Sequence, residues 1–309
     1  MSKMTHQNIM VMGAGGVGGY FGGKLSGNDN LNVSFVARGE HLRMIQKRGL
    51  IVKSVEGDFT VSVPASDDPS DLSAPDLILF TVKSYDTEQA IEQIRPVVSP
   101  STQILPLQNG IENLPKLESA FSKDRVIPAI CRIGVRIEKP GVLSHTHPGS
   151  LWIGERDGNL SGRLKKVQEL FSDVGVSCRI STEIQREMWK KFAWNAIFNM
   201  LTAAENQTTD FFYNEGEPVD QLWKLAEELQ LIAEAKKSGL SGKDLKDLIW
   251  ETRNNGAFVT STLHDRRRGK QLEYDAFTGA LLRLGVKYNL RLPEYLKLHR
   301  KLKLVNEQL

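Results

Sequence analysis

Residues 13–18 read Gly13-Ala14-Gly15-Gly16-Val17-Gly18, directly after the β-rich run 8–12 and at the head of a stretch with helical apolar spacing, 18–25. No other feature narrows the fold so far, because a glycine-rich turn between a strand and a helix is the phosphate-holding corner of a βαβ unit. Gly13 permits the tight turn, Gly15 leaves the backbone open to a pyrophosphate, and Gly18 lets the helix lie close on the strand. Ala14, Gly16 and Val17 complete a loop whose N–H groups face the anion at the helix N-terminus. The alternative, a glycine-rich turn with no ligand, does not explain the strand before it and the helix after it. A bound dinucleotide is expected.

The pattern that follows agrees with that corner. Short β-rich runs at 33–37, 77–82, 103–107 and 125–130 alternate with helix-compatible stretches at 87–94 and 111–121, which is the grammar of a parallel sheet with crossover helices. Segment 134–154, broken by Lys139-Pro140-Gly141 and Pro148-Gly149, reads as antiparallel strands on the edge of that sheet. After a last strand at 176–180 the pattern turns almost wholly helical, with long segments at 183–204 and 217–237. The expected fold is an α/β Rossmann-type doubly wound sheet over residues 1–181, holding the nucleotide. An all-α carboxy-terminal domain over 182–309 would face the strand ends across a cleft and carry substrate and catalytic groups. A chain of 309 residues can bury two such cores.

The second strand ends in Val36-Ala37-Arg38, about 20 residues past the last fingerprint glycine, where an NAD enzyme would place an acid on the ribose hydroxyls. A guanidinium there pairs with a 2′-phosphate, so NADP(H) is the expected cofactor. The competing reading is a surface arginine paired with Glu40. Lys83 and Asn109 follow strands of the same sheet, at the ends where cofactor and substrate groups meet, although Asn109-Gly110 is also a common turn dipeptide.

In the helical half, Lys191, Asn195 and Asn199 recur every four residues on one side of a helix whose Ile197, Phe198 and Leu201 look core-facing. Asparagine is a poor helix former, so repeated amides in an apolar helix point to specific hydrogen bonding, either with a ligand or within a structural network. Lys190 projects about 100° away and reads as solvated.

Several function classes fall away. No apolar run approaches the ~20 residues that span a bilayer, and the first residues lack the apolar core of a secretory leader, so a cytoplasmic location is expected. Cys131 and Cys178 stand far apart and read as buried structural thiols. The histidines lack metal spacing, His145 and His147 included, and no metal is expected. A net charge of +3 is too small and too evenly spread for a nucleic-acid partner. The cluster Arg266, Arg267, Arg268 and Lys270 reads as a solvated helix end. The helical domain could support a homodimer.

Seven motifs in order resemble the ketopantoate reductase family over nearly the whole chain. They are GAGGVGGYFGGKLS, FVARGEHL, FTVKSYDTEQA, PLQNGIEN, PGVLSHTHPGSLWIGE, WKKFAWNAIFNMLTA and TSTLHDRRRGKQLEYDAFTGALLRLG. The resemblance implies hydride transfer from NADPH to the 2-oxo carbon of ketopantoate, a small 2-oxo acid, giving pantoate for pantothenate synthesis. It puts the general acid on Lys191, an ammonium that steadies the developing alkoxide and donates the proton. It further implies that Asn195 and Asn199 contact substrate oxygens and that Ser261 binds the carboxylate. Glu273 would lie by the nicotinamide ribose and the substrate hydroxyl, Asn109 at the nicotinamide, and Lys83 towards the adenosine side or where substrate enters. Without the resemblance, Ser261 could be a helix hydroxyl bonded to backbone and Glu273 an exposed acid.

The match departs at two positions. The family has an SSMLQD-like run with an asparagine three residues before its second serine, and here Phe258 replaces that amide. Its loss weakens carboxylate recognition or enlarges an apolar wall, with Asn254 or Asn255 placed to compensate. His264 replaces a glutamine and reads as a surface or helix-end residue. These departures favour one alternative to ketopantoate reduction, a related reductase of another 2-oxo acid; a dinucleotide-binding protein without turnover is a third reading, against which the retained Lys191, Asn195, Asn199 and Glu273 stand.

Overall fold

The structure is a computed structural model and describes residues 7–254 and 256–309. The first six residues of the stretch read above for a leader, and Asn255, lie outside the described residues. The chain divides into two compact units. One runs to Asn109 and from Asn113 to Ile184, and the other takes Gly110–Glu112 and Gln185–Leu309.

The first unit contains β1 (Gln7–Met12), α1 (Gly16–Leu25), β2 (Leu31–Val36), α2 (Gly39–Arg48), β3 (Leu50–Ser54), β4 (Phe59–Val61) and β5 (Ala65–Ser66). It continues with β6 (Leu77–Phe80), α3 (Thr87–Ile94), β7 (Gln103–Pro106), α4 (Asn113–Phe121), β8 (Ala129–Lys139), β9 (Val142–Ile153), α5 (Gly162–Asp173) and β10 (Ser177–Ile180). Its main sheet has the order β5-β2-β1-β6-β7, every pairing parallel. Ile9 to Met12 and all of β6 are buried, as strands covered on both faces must be, which is why they are continuous apolar runs rather than alternating ones. The expected parallel sheet is therefore present.

Two expectations need correction. Residues 125–130 do not add a strand to this sheet: Val126 makes one isolated parallel bridge to Ile104, and the chain then leaves. Pro128, which has no N–H to donate, stands where the ladder would have to continue. Nor do the antiparallel strands sit on the edge of the main sheet. β8 and β9 form a hairpin in a second sheet of order β10-β9-β3-β4, where β9 runs parallel to both β3 and β10.

The second unit is helical: α6 (Ile184–Trp194), a π turn (Asn195–Asn199), α7 (Met200–Glu205), α8 (Glu217–Ala235), α9 (Gly242–Arg253), α10 (Ser261–Arg267), α11 (Thr278–Tyr288) and α12 (Pro293–Glu307). Phe192, Phe198, Leu229, Phe277 and Tyr295 are among the buried side chains at its core. Ile111, from the three-residue piece contributed by the first half of the sequence, packs on this core, and Glu112 pairs with Arg283 at 2.6 Å. The long helix expected at 183–204 is thus interrupted by a π turn that falls on the two asparagines.

Candidate active site

The fingerprint loop is built by close packing on one side and openness on the other. Gly13 has φ +97°, a left-handed conformation that favours glycine, and its N–H donates to Val36 O at 3.1 Å. A Cβ at Gly18 would strike Thr81 Oγ1 and Gly13 O, and one at Gly16 would come within 2.9 Å of Val135 O. At Gly15 the nearest neighbour to such a Cβ is Gly13 O at 4.0 Å. The loop is therefore sealed against β1, β6 and β8, yet open where a pyrophosphate would approach Gly15. No side chain caps the N-terminus of α1 and no acid occupies its first turn, so its dipole is left for an anion. These features fit a dinucleotide.

Two groups not singled out in the sequence hold this loop. The Thr81 hydroxyl donates to Gly13 O at 2.7 Å. His41 bridges Ala14 O (2.8 Å from Nε2) and the Gly141 N–H (3.1 Å from Nδ1). Because Gly141 donates to Nδ1, that nitrogen is the acceptor and Nε2 carries the proton that reaches Ala14. Burial lowers the pKa of His41, against the hydrogen bond to Ala14, and so favours this neutral tautomer. A lone histidine with no spacing partner gave no sequence signal for such a role.

Arg38 lies two residues past β2, as the residue before α2, with its side chain 71% exposed. Its partner is Asp86, at 2.6 Å, and not Glu40, which pairs with Arg43. Lys83, exposed, precedes a short 3-10 turn (Ser84–Asp86) after β6. Asn109 is half-buried after β7, and its carbonyl accepts from Asn113 Nδ2 (2.7 Å) and Ser84 Oγ (3.3 Å). Gln108 Nε2 donates to Val82 O and to Thr87 Oγ1, and Thr87 donates to Asn113 Oδ1. This lattice fixes the two strand-end loops that carry Lys83 and Asn109 to each other.

In the second unit Asn195 and Asn199 are 6% and 1% exposed. Asn199 Nδ2 donates to Asn195 Oδ1 (3.2 Å) and Ser261 Oγ (3.3 Å), so three of the candidate substrate-binding groups touch. The π turn spaces the two amides so that they bond side by side, a distortion frequent at functional sites. Asn199 Oδ1 is buried with no partner among the described residues. Ser261 opens α10, which is fastened to α7. Thr260 and Thr202 share a hydrogen bond at 2.7 Å, and Arg266 donates to the carbonyls of Ala203 and Ala204. Arg267 reaches Asn206, which ends α7. Two members of the basic cluster read as solvated thus hold the end of a helix.

Lys191 stands one turn before Asn195, half-buried and drawn into no ion pair among the described residues. Lys190, read as solvated, instead lies 3.7 Å from Asp244, which Arg186 also grips at 2.9 Å. Burial opposes ionisation of Asp244, but the hydrogen bonds from Arg186 and Ser241 outweigh it and hold the carboxyl well below its usual range. Asp244 therefore engages the neighbouring Lys190, whereas Lys191 has no such partner among the described residues. Glu273 is half-buried before the turn Tyr274–Ala276. Phe258 packs edge-on against Trp194, ring centroids 6.1 Å apart. Asn254 ends α9 in an exposed position, and His264 is half-buried in α10.

His145 is buried against the Tyr20 ring and bonded to Ser54 Oγ. No group of three His, Cys, Asp or Glu side chains suited to a metal occurs among the described residues.

Comparison with known proteins matches residues 9–158 to the model for ketopantoate reductase PanE/ApbA and residues 183–306 to the model for the carboxy-terminal part of the same family. The chain belongs to the ketopantoate reductase family. It is an oxidoreductase of that family. A 2-dehydropantoate 2-reductase of Mesorhizobium japonicum is 27% identical over 90% of this chain and 91% of its own length. A PanE/ApbA family ketopantoate reductase of Ralstonia eutropha JMP134 superposes with a TM-score of 0.89 at 28% identity, covering 98% of this chain and 99% of that one. A D-mandelate dehydrogenase, solved with NADH and anilino(oxo)acetate, shares the fold at TM-score 0.88 and 20% identity, over 98% of this chain and 99% of its own. The ketopantoate reductase family thus spans both units, with a parallel-sheet amino-terminal part and a helical carboxy-terminal part. No helix among the described residues is long and apolar enough to cross a membrane.

Proposed function

We propose that this family member is an NADPH-dependent reductase of a small 2-oxo acid, with Lys191 as the general acid. The observation that carries the reading is the contact of Asn195 and Asn199, in a distorted helix, with Ser261 of α10, one turn beyond a half-buried lysine that no acid engages among the described residues. When bound, the nicotinamide supplies a hydride to the 2-oxo carbon. Lys191 steadies the negative charge that develops on the oxygen and hands it a proton, leaving a 2-hydroxy acid. Asn195, Asn199 and Ser261 donate to the substrate's carboxylate and oxygens, and Glu273 accepts from the product hydroxyl and the cofactor ribose. In the first unit the loop of Gly13, Ala14, Gly15, Gly16, Val17 and Gly18 holds the pyrophosphate. Arg38 takes the 2′-phosphate, and Lys83 and Asn109 flank the rest of the dinucleotide.

Ketopantoate is the substrate that the curated relatives' name, 2-dehydropantoate 2-reductase, puts first, which would place the chain in pantothenate synthesis. A second reading, reduction of a different 2-oxo acid, is favoured by Phe258, an aromatic ring where the resembling sequences carry an amide. The test is NADPH oxidation near neutral pH with ketopantoate and a panel of 2-oxo acids, for the wild type and Lys191→Ala. Turnover that Lys191→Ala lowers by two to four orders of magnitude, about the scale of general acid catalysis, supports the proposal. Full turnover by Lys191→Ala removes the lysine from the mechanism. Tight NADPH binding with no oxidation by any 2-oxo acid would make the protein a dinucleotide binder instead.

A further inference from the structure

Two segments of the helical unit each carry an aromatic residue beside a polar group of the proposed site. On the helix, Trp194 immediately precedes Asn195 but projects about 100° from it, its ring packed on Phe198 of the core. On the loop into α10, Phe258 lies three residues before Ser261, and the two aromatic rings meet edge-on, 6.1 Å apart at 69°. The Trp194 ring and the Phe258 backbone are held in place. The Trp194 indole N–H donates to Thr252 Oγ1 at 3.0 Å. The Phe258 backbone is clasped by Thr209, its N–H donating to Thr209 Oγ1 and its carbonyl accepting from Thr209 N, each at 3.1 Å. Phe258 nonetheless stays 38% exposed and Val259 41% exposed, and Ser261 too is exposed. An aromatic ring fixed by its backbone and left open, on the same short segment as a polar binding group, is a surface prepared for an apolar body attached to a polar head.

Resting on the reductase reading above, we infer that Phe258, backed by Trp194, presents an aromatic wall that selects 2-oxo acids with an aryl or similarly bulky apolar side chain. The carboxylate and oxo group engage Ser261, Asn195 and Asn199, and the side chain lies against the Phe258 ring. The wall offers no hydrogen bond to a substrate hydroxyl, so a hydroxylated side chain loses its water there without recompense. The reaction itself is unchanged: hydride to the 2-oxo carbon, proton to its oxygen.

The experiment compares kcat/KM for phenylglyoxylate, ketopantoate and pyruvate, with NADPH saturating, in wild type, Phe258→Ala and Phe258→Leu. Circular dichroism and thermal melting establish that each variant is folded. The wild type is expected to prefer the aryl acid to both others. Phe258→Ala should lower the phenylglyoxylate-to-pyruvate ratio about tenfold, the scale of one lost aromatic contact plus the area it covered, mainly through KM. Phe258→Leu, which keeps an apolar surface, should retain most of the ratio. A ratio that moves by less than about twofold in Phe258→Ala, or a wild type that favours ketopantoate, overturns the wall and leaves the reductase reading standing. Failure of every 2-oxo acid with the wild type overturns the reductase reading and this inference together.

Discussion

Arg38 and Asp86 permit a quantitative test of the cofactor assignment. A hydrogen bond between a guanidinium and a phosphate contributes about 1.5–3 kcal/mol, or roughly 10- to 150-fold in affinity. Arg38 is already engaged, at 2.6 Å from Asp86, with 71% of its side chain exposed. An exposed ion pair of this kind is worth about 0–1 kcal/mol, and the phosphate must displace or share it. The difference leaves about 0.5–3 kcal/mol, so Arg38→Ala should raise the KM for NADPH roughly 2- to 150-fold and that for NADH little. Asp86→Asn removes both the competing acceptor and a negative charge beside the incoming phosphate, and should lower the KM for NADPH by up to about fivefold. If Asp86 acts through Arg38, most of its effect disappears in the Arg38→Ala background, as a double-mutant cycle would read. The assay is nicotinamide absorbance at saturating 2-oxo acid, with dissociation constants from fluorescence as a check on KM. Equal effects of Arg38→Ala on NADPH and NADH would refute the 2′-phosphate assignment. An Asp86→Asn variant that binds NADPH more weakly would show instead that Asp86 positions Arg38 for its ligand.

Gly15→Ala and Gly18→Ala should fail differently. The first places a methyl in open space and is expected to melt like the wild type while losing dinucleotide binding. The second drives a methyl into Thr81 and Gly13 O and should also lower stability, by about 1–3 kcal/mol; matching melting temperatures for the two would contradict the packing described. Glu228, buried, accepts the N–H groups of Glu294 and Tyr295 at 2.8 and 2.9 Å and so caps α12. Glu228→Ala is expected to cost about 1–3 kcal/mol in denaturant unfolding. Burial raises the Glu228 pKa above its ordinary 4.5 despite those bonds. The folded state therefore binds more protons than the unfolded one above that value, and this group's contribution to stability falls as pH rises through the folded pKa. Wild type should accordingly gain on Glu228→Gln as pH is lowered from about 8 to about 5, and the opposite trend in melting temperature would exclude the effect. Cys178 is pushed up to about 12 by burial, and the buried Cys131 thiol donates to Leu107 O. Native protein should resist a thiol reagent near pH 8 that labels both cysteines after denaturation.

The parallel sheet was legible because burial on both faces leaves continuous apolar runs such as Leu77–Phe80, and because a glycine loop between strand and helix has few other uses. β3, β4 and β5 carried no comparable mark. They are five, three and two residues long, too short for a period to declare itself, and their pairing depends on partners distant in sequence. Residues 125–130 have the apolar content of a strand, but Pro128 lacks the N–H that a ladder needs. In the helical unit the spacing of Lys191, Asn195 and Asn199 was readable, but not the π turn, since one extra residue in a turn leaves no compositional trace. The partners of charged side chains were the least accessible. Asp86 lies 48 residues from Arg38 and Asp244 lies 58 residues from Arg186, and neither distance is written in local pattern.

The amides of the π turn indicate which requirement shaped this helix. Asn195 and Asn199 lie at the edge of a core of Phe192, Phe198 and Leu201, where leucine or alanine would propagate an α-helix better and bury apolar area. Asn199 keeps one oxygen buried and unpartnered, a penalty of about 1–3 kcal/mol, and its nitrogen makes bonds of only 3.2 and 3.3 Å. The Thr202–Thr260 bond and the Arg266 clamp then fix Ser261 beside it. Each of these contacts orders the amide–hydroxyl cluster, and none relieves the orphaned oxygen. Folding alone favours removing the amide. A ligand whose oxygens accept from the amides and hydroxyl of the cluster gives the arrangement a use, and the unfavourable local choices then lie in the one segment where the proposed chemistry requires them.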